Sequence, residues 1–120
     1  MTTETAERLA GKKCVPCEGG VPPVPRDEAE RLLAGLGGWS LTADGKRIGK
    51  DWKMKHFQAA LDFFNAVGQV AEEEQHHPDL HLEGYRNVRI ELWTHAIGGL
   101  SENDFILAAK IDQLPVKTKS

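Results

Sequence analysis

The chain has 120 residues, of which 40% are hydrophobic and 28% are charged, the size and balance of one compact domain with a single core. Its formal charge of -3 offers no basic surface for phosphates, so we expect a small-molecule partner and no nucleic acid. No segment reaches the roughly 18 uninterrupted apolar residues of a membrane helix, and the first residues lack the apolar run of a secretory signal, so we expect a cytoplasmic protein without a membrane partner.

Residues 1–24 contain many glycines and prolines without an apolar period, which predicts a mostly irregular lead-in with no functional role. Cys14 and Cys17 form a C-x-x-C pair within this segment. Such a pair could supply half of a four-ligand zinc site shared with a second copy, or a redox centre. The simpler interpretation is two reduced thiols.

Residues 25–114 carry the patterns of a single domain, and residues 115–120 are expected to form a C-terminal tail. The domain begins with apolar residues at helical spacing that end at Gly37, which predicts a short first helix. Two alternating runs then flank Asp44-Gly45. This step is typical of a hairpin, because glycine accepts the positive φ of a tight turn.

A sustained apolar stripe predicts a long helix over residues 56 to about 74. Alternating residues on either side of Gly84 predict a second hairpin. Ser101 and Asp104, with Leu100 and Phe105 beside them, are typical of a capped helix start, and this last helix should run to about Gln113. The resulting class is α+β, with a four-stranded antiparallel sheet, three helices packed on one face and the order α-β-β-α-β-β-α.

Four of the five histidines fall within twenty residues: His76, His77, His81 and His95. Imidazole is the side chain that most readily both donates and accepts a proton near neutral pH. If the long helix continues to His76, Glu72 lies one turn earlier on the same face and can orient that ring. The ring of Pro78 should stop the helix and turn the two adjacent histidines in different directions.

His95 is expected at the end of the last strand, on the same face as Trp93 and Glu91. The sequence therefore predicts a pocket that gathers the imidazoles of His76, His77 and His95.

These residues resemble the pterin-4a-carbinolamine dehydratase family, in a form similar to its bacterial members. The resemblance covers nearly the whole chain from about Gly11, including the lead-in C-V-P-C-E-G-G and the run G-G-L-S-E-N-D-F-I-L-A-A-K-I-D. Its specific part is an H-H-P step with an acidic residue before it and an aromatic residue, a histidine and an aspartate after it, at fixed intervals. The matching positions are Glu72, His76, His77, Pro78, Tyr85, His95 and Asp104.

The resemblance implies a hydro-lyase, a 4a-hydroxytetrahydrobiopterin dehydratase, that removes water from 4a-hydroxytetrahydropterins to give quinonoid dihydropterin in tetrahydropterin recycling. It implies neither a metal nor an organic cofactor, and a homodimer or homotetramer. By resemblance His76 and His95 are the acid and base, in an order left open, and His77 binds and orients the pterin. Glu72 and Asp104 would support the imidazoles or the charge on the substrate. Animal members carry an aromatic residue where Leu80 and His81 stand here, so the surface that packs against the flat pterin can differ.

Simpler interpretations exist for each residue. His76 and His77 can simply occupy a helix C-terminus, where histidines interact favourably with the negative end of the helix dipole. Asp104 can simply cap a helix, because an acidic residue is common three positions after a serine N-cap. Two other functions are also open. Histidines with acidic neighbours can bind zinc or iron, and relatives of this family include non-catalytic dimerisation or assembly modules.

Overall fold

The structure, a computed structural model, describes residues 5–14 and 22–119. A four-stranded antiparallel sheet with helices against it confirms the α+β class expected from the sequence. In chain order the elements are α1 (Ala6–Ala10), α2 (Arg26–Ala34), β1 (Ser40–Leu41), β2 (Ile48–Lys53), α3 (Phe57–Glu74), β3 (Asp79–Glu83), β4 (Asn87–Leu92), a 3-10 helix (His95–Ile97) and α4 (Glu102–Asp112).

The strands lie in the order β1-β2-β4-β3, so β4 is central and β3 is an edge strand. Ile48 pairs with Leu92 and Leu80 pairs with Ile90, which brings apolar side chains to the face that the helices cover. The intervening residues of β4, such as Arg89 and Glu91, lie on the opposite, open face because side chains alternate along a strand. This alternation gives the sheet one apolar face and one charged face.

Both hairpins form where the sequence predicts them. In the first, Gly45 has φ +73°, a backbone conformation that glycine adopts without a steric penalty. The hydroxyl of Thr42 donates to Asp44 Oδ1 at 2.7 Å and stabilises the same turn. Local turn chemistry therefore determines the pairing within each hairpin, whereas the pairing of β2 with β4 joins the two hairpins.

Helix α4 lies in the middle of the core and is buried on nearly every side, with Phe105, Leu107 and Ile111 at most 1% exposed. Its first turn has the predicted cap, in which the Ser101 and Asp104 side chains each bond the other residue's backbone. An amphipathic stripe would leave one side of this helix open to solvent. Helix α1 packs against α4, which explains why α4 can be buried on nearly every side.

The expectation of an irregular lead-in was wrong for residues 6–10, which form α1. The Thr5 side chain accepts a hydrogen bond from Arg8 N at 3.2 Å and caps the helix, and Leu9 is fully buried in the core. Five residues are too short to show an apolar period, so the helix depends on this tertiary contact. Residues 1–4, 15–21 and 120 lie outside the described residues, and so does the expectation for Cys17.

The C-terminal tail also pairs with the rest of the chain. Lys55 N donates to the carbonyl of Lys117, and Lys119 N donates to that of Lys53, each at 2.9 Å. Residues 117–119 thus extend the sheet beside the end of β2.

Candidate active site

His76, His77 and His95 line one open cleft of about 840 Å³ at the end of the sheet. The predicted meeting of the three imidazoles is therefore present in the geometry. Trp93 and Thr94 contribute to the same wall. The volume lies in the range of clefts that hold small molecules, and a bicyclic ring system would fit.

His76 is tied to the most deeply buried acidic group of the site. Its Nε2 atom lies 2.6 Å from Oδ1 of Asp104, whose side chain is fully buried. The other carboxylate oxygen, Oδ2, accepts from Thr94 Oγ1 at 2.9 Å and from Ser101 N at 3.0 Å. Since a carboxylate only accepts, these donors fix it in place, and it in turn orients the imidazole.

The predicted pairing of Glu72 with His76 was wrong. Helix α3 ends at Glu74, and Gln75 follows in the left-handed conformation with φ 54°, so His76 lies beyond the helix and leaves its face. Glu72 instead approaches His77, with 3.4 Å between Oε1 and Nε2, and both side chains are more than half exposed. A contact this exposed contributes little to stability.

The two adjacent histidines project in different directions, as expected. His76 is 12% exposed and faces inward to Asp104, whereas His77 is 59% exposed at the cleft. Pro78, with His77 and Glu72, lines a neighbouring depression of about 740 Å³. Of the predicted supporting residues, Asp104 alone therefore contacts a histidine that lies inside the fold.

His95 does not end the last strand, contrary to the sequence expectation. Strand β4 stops at Leu92, and His95 begins the 3-10 helix that follows. The centroid of its ring lies 3.9 Å from that of the Trp93 ring, with 37° between the ring planes. That Trp93 lines this cleft was not predicted from the sequence. The sequence signal was its position two residues before His95.

The lead-in contributes to the site, contrary to expectation, because Lys13 and Cys14 line the cleft. Burial raises the pKa of the Cys14 thiol to about 12, and the nearby Glu74 carboxylate adds to this effect. Cys14 is thus a protonated, hydrogen-bonding side chain at neutral pH, and its Sγ donates to the Asn103 carbonyl at 3.6 Å.

The remaining histidines lie elsewhere. His56 caps α3, where its Nδ1 accepts from Ala59 N at 3.0 Å, which agrees with a structural role. His81 lies on the open face of the sheet, in a separate cavity of about 620 Å³. Tyr85 lies in the turn between β3 and β4 and is 57% exposed.

Two further properties concern only the residues that the structure describes. Across residues 5–14 and 22–119, no three histidine, cysteine or acidic side chains group closely enough to hold a metal ion. Among the helices of the same ranges, none has the length and apolar content needed to cross a membrane.

Comparisons with known proteins identify the family of this chain. The sequence model of the family "Pterin 4 alpha carbinolamine dehydratase" matches residues 22–114. The chain is 51% identical over 112 residues to pterin-4-alpha-carbinolamine dehydratase 2, mitochondrial, of Arabidopsis thaliana, covering 91% of this chain and 60% of that protein. It is 54% identical over 107 residues to a candidate pterin-4-alpha-carbinolamine dehydratase of Nitrosomonas eutropha, covering 88% of this chain and 92% of the relative.

A solved structure has the same architecture. The crystal structure of a transcriptional coactivator/pterin dehydratase from Brucella melitensis superimposes with a TM-score of 0.70 at 29% identity, covering 75% of this chain and 95% of that one. The sequence match, the fold and the grouped histidines lead to one assignment. The chain belongs to the pterin-4a-carbinolamine dehydratase family and, with it, to the hydro-lyases.

Proposed function

We propose that this protein removes water from 4a-hydroxytetrahydropterins in tetrahydropterin recycling, and that His76 and His95 divide the two proton transfers. The observation that carries the proposal is the single cleft lined by His76, His77 and His95, with the buried Asp104 behind the first of them. A family assignment alone leaves the chemistry open, whereas grouped imidazoles are suited to a reaction that donates one proton and removes another.

The reaction needs two proton transfers and no oxidant or reductant. The hydroxyl on C4a takes a proton from an imidazolium and leaves as water, while the lone pair of N5 forms the new C4a–N5 double bond. N5 then gives its own proton to a neutral imidazole. The products are quinonoid dihydropterin and water. Imidazole can act as the proton donor in the first transfer and as the acceptor in the second near neutral pH.

Asp104 supports one of these rings in the manner of the acidic member of a catalytic triad. With the carboxylate accepting from Thr94 and Ser101, its Oδ1 atom favours an N–H on His76 Nε2. The opposite ring nitrogen, Nδ1, is then the atom that exchanges a proton with substrate. The same carboxylate offsets the positive charge that the ring acquires when it takes up a proton.

His77 is proposed to bind the pterin rather than to transfer protons. It lies beside His76 and is more than half exposed, and among the described residues it approaches the still more exposed carboxylate of Glu72. A side chain at this place can hydrogen-bond the polar edge of a pterin as it enters the cleft.

The test follows the dehydration of 4a-hydroxytetrahydropterin, generated in situ, with the wild type, His76→Ala and His95→Ala. Each variant should lose at least about 10²-fold in rate, the lower end of what a positioned acid or base contributes. His81→Ala is the matched control, since His81 lies on the open face of the sheet and should retain the wild-type rate. Unchanged rates in both cleft variants would remove these histidines from the mechanism and reject the proposal. An absence of dehydration by the wild type would favour a non-catalytic assembly module.

The protein is further proposed to act as a homodimer or homotetramer. Strand β3 forms one edge of the sheet, and such an edge presents backbone groups that a second copy can pair with.

A further inference from the structure

The indole of Trp93 contacts both a guanidinium group and the imidazole of His95. The Arg47 Cζ atom is 4.8 Å from the Trp93 ring centroid, within the range of a cation–π contact. On the cleft side, the centroids of the Trp93 and His95 rings are 3.9 Å apart. A charged group of the open sheet face is thereby connected to a histidine of the cleft.

Trp93 is also held at its edge. Its Nε1 donates to Asp79 Oδ2 at 3.2 Å, and Arg47 Nη1 donates to the same oxygen at 3.0 Å. Arg47 Nη1 additionally lies 3.2 Å from Glu91 Oε1. These contacts from three parts of the chain leave the indole few orientations.

Burial in the core does not account for this tryptophan. Trp39 and Trp52 belong to the hydrophobic core or pack against it, whereas Trp93 is half buried among charged groups and lines the cleft. A large aromatic ring at such a place requires specific partners, and Trp93 has a cation, a carboxylate and an imidazole. The arrangement indicates a role at the cleft.

We propose that Trp93 is a positioning residue for the dehydration: the clamp formed by Arg47, Asp79 and Trp93 holds the His95 imidazole in one orientation in the cleft. The inference rests on the proposed function. His95 starts an exposed 3-10 helix, where an imidazole without a packing partner would sample several rotamers. Packing against a fixed indole restricts that choice before substrate arrives.

The clamp also connects the two groups of histidines. Asp79 is the first residue of β3 and directly follows His77-Pro78, while Trp93 lies two residues before His95. One carboxylate therefore ties the corner that carries His76 and His77 to the segment that carries His95. The relative placement of the imidazoles depends on this bond and not only on the sheet.

The experiment compares Trp93→Ala, Trp93→Phe and Arg47→Gln, with Arg89→Gln as the matched control. Arg89 carries the same charge on the same face and bonds Glu91 and Asp51. Trp93→Ala should lower kcat by about 10- to 100-fold, the usual effect of removing a group that orients a functional ligand. Trp93→Phe retains an aromatic ring and should recover part of the lost kcat. The kcat of Arg47→Gln should lie between those of Trp93→Ala and Trp93→Phe, and that of Arg89→Gln should match the wild type.

Two readouts separate positioning from a general structural effect. In a His95→Ala background, adding Trp93→Ala should lower kcat by less than about twofold, because the imidazole that Trp93 orients is already absent. In NMR spectra, the ring-proton signals of His95 should shift in Arg47→Gln, which retains the Trp93 ring and its ring current, while those of His56 stay unchanged.

An unchanged kcat in Trp93→Ala, a rise confined to KM, or unshifted His95 signals would overturn the inference. If the wild type itself fails to dehydrate the pterin, the proposed function fails, and the NMR comparison still decides whether the clamp orients His95.

Discussion

The backbone N–H of Cys14 donates a hydrogen bond of 2.8 Å to Oε1 of Glu74, although sixty residues separate the two in sequence. Lys110 Nζ lies 3.6 Å from the other oxygen of Glu74 and also donates to the carbonyl of Ala10 at 2.9 Å. The lead-in, the end of α3 and helix α4 thus meet at one carboxylate. This contact holds Lys13 and Cys14 at the cleft.

Glu74→Gln should destabilise the fold by about 1–3 kcal/mol at pH 7, because it leaves buried groups with a weaker acceptor and Lys110 without its counter-charge. Burial raises the pKa of Glu74, but the hydrogen bond from Cys14 and the charge of Lys110 outweigh it, so the net pKa is below the ordinary value of 4.5. A lowered pKa in the folded state stabilises the protein above pH 4.5, and this contribution disappears as the pH falls through the folded value.

Urea denaturation at pH 7 and at successively lower pH values checks this prediction. The difference between the wild type and Glu74→Gln should be largest at pH 7 and should shrink in acid. Glu30→Gln, an exposed change on α2, should stay within about 0.5 kcal/mol of the wild type. A difference that grows in acid would contradict the prediction.

The thiol of Cys14 should be slow to react, because the thiolate is the nucleophile and the pKa is raised to about 12. In a Cys17→Ser background at pH 8, we expect reaction with a disulfide reagent at least about 10²-fold more slowly in the folded protein than in guanidinium chloride. Equal rates in the two states would mean an accessible thiolate, as a zinc or redox site would require.

Asp104→Asn should affect catalysis more than folding. An asparagine can still accept from Thr94 and Ser101, but its amide would donate to His76 and so reverse the tautomer. We expect kcat to fall by at least about 10²-fold, with a loss of stability of about 1–3 kcal/mol. Glu102→Gln, an exposed change in the same helical turn, should leave both quantities near the wild type. A variant of Asp104 with normal kcat would remove this carboxylate from the mechanism.

Self-association is checked by size-exclusion chromatography with light scattering. The expected mass is two or four times 13.3 kDa. A monomer at micromolar concentration would contradict the expectation from the edge strand β3.

Local signals account for the parts of the structure that could be predicted from the sequence. The turn at Asp44-Gly45, the stripe of α3 and the Ser101 cap each depend on neighbouring residues, and all three have the expected form. Asp104 was placed near the imidazoles by family resemblance, and its bond to His76 fits that expectation. The sheet and its covering helices follow from these elements.

The contacts that could not be predicted span long distances or depend on where an element ends. Helix α3 ends before His76, and Glu72 therefore contacts His77 instead of the expected His76. Strand β4 stops before His95, and α1 is stabilised by contacts with α4. The clamp formed by Arg47, Asp79 and Trp93 brings together residues at the ends of different strands. No local sequence pattern predicts these contacts.

The left-handed residue at the end of α3 has a consequence for how the cleft is built. Gln75 turns the backbone out of the helix immediately before His76, so the direction in which His76 and His77 project depends on where α3 ends. One residue inserted into α3 before Gln75 would rotate the following histidine pair about the helix axis by about 100°, since a helix has about 3.6 residues per turn. We therefore expect the cleft to tolerate substitutions along α3 far better than insertions or deletions, which change the number of residues before the histidines.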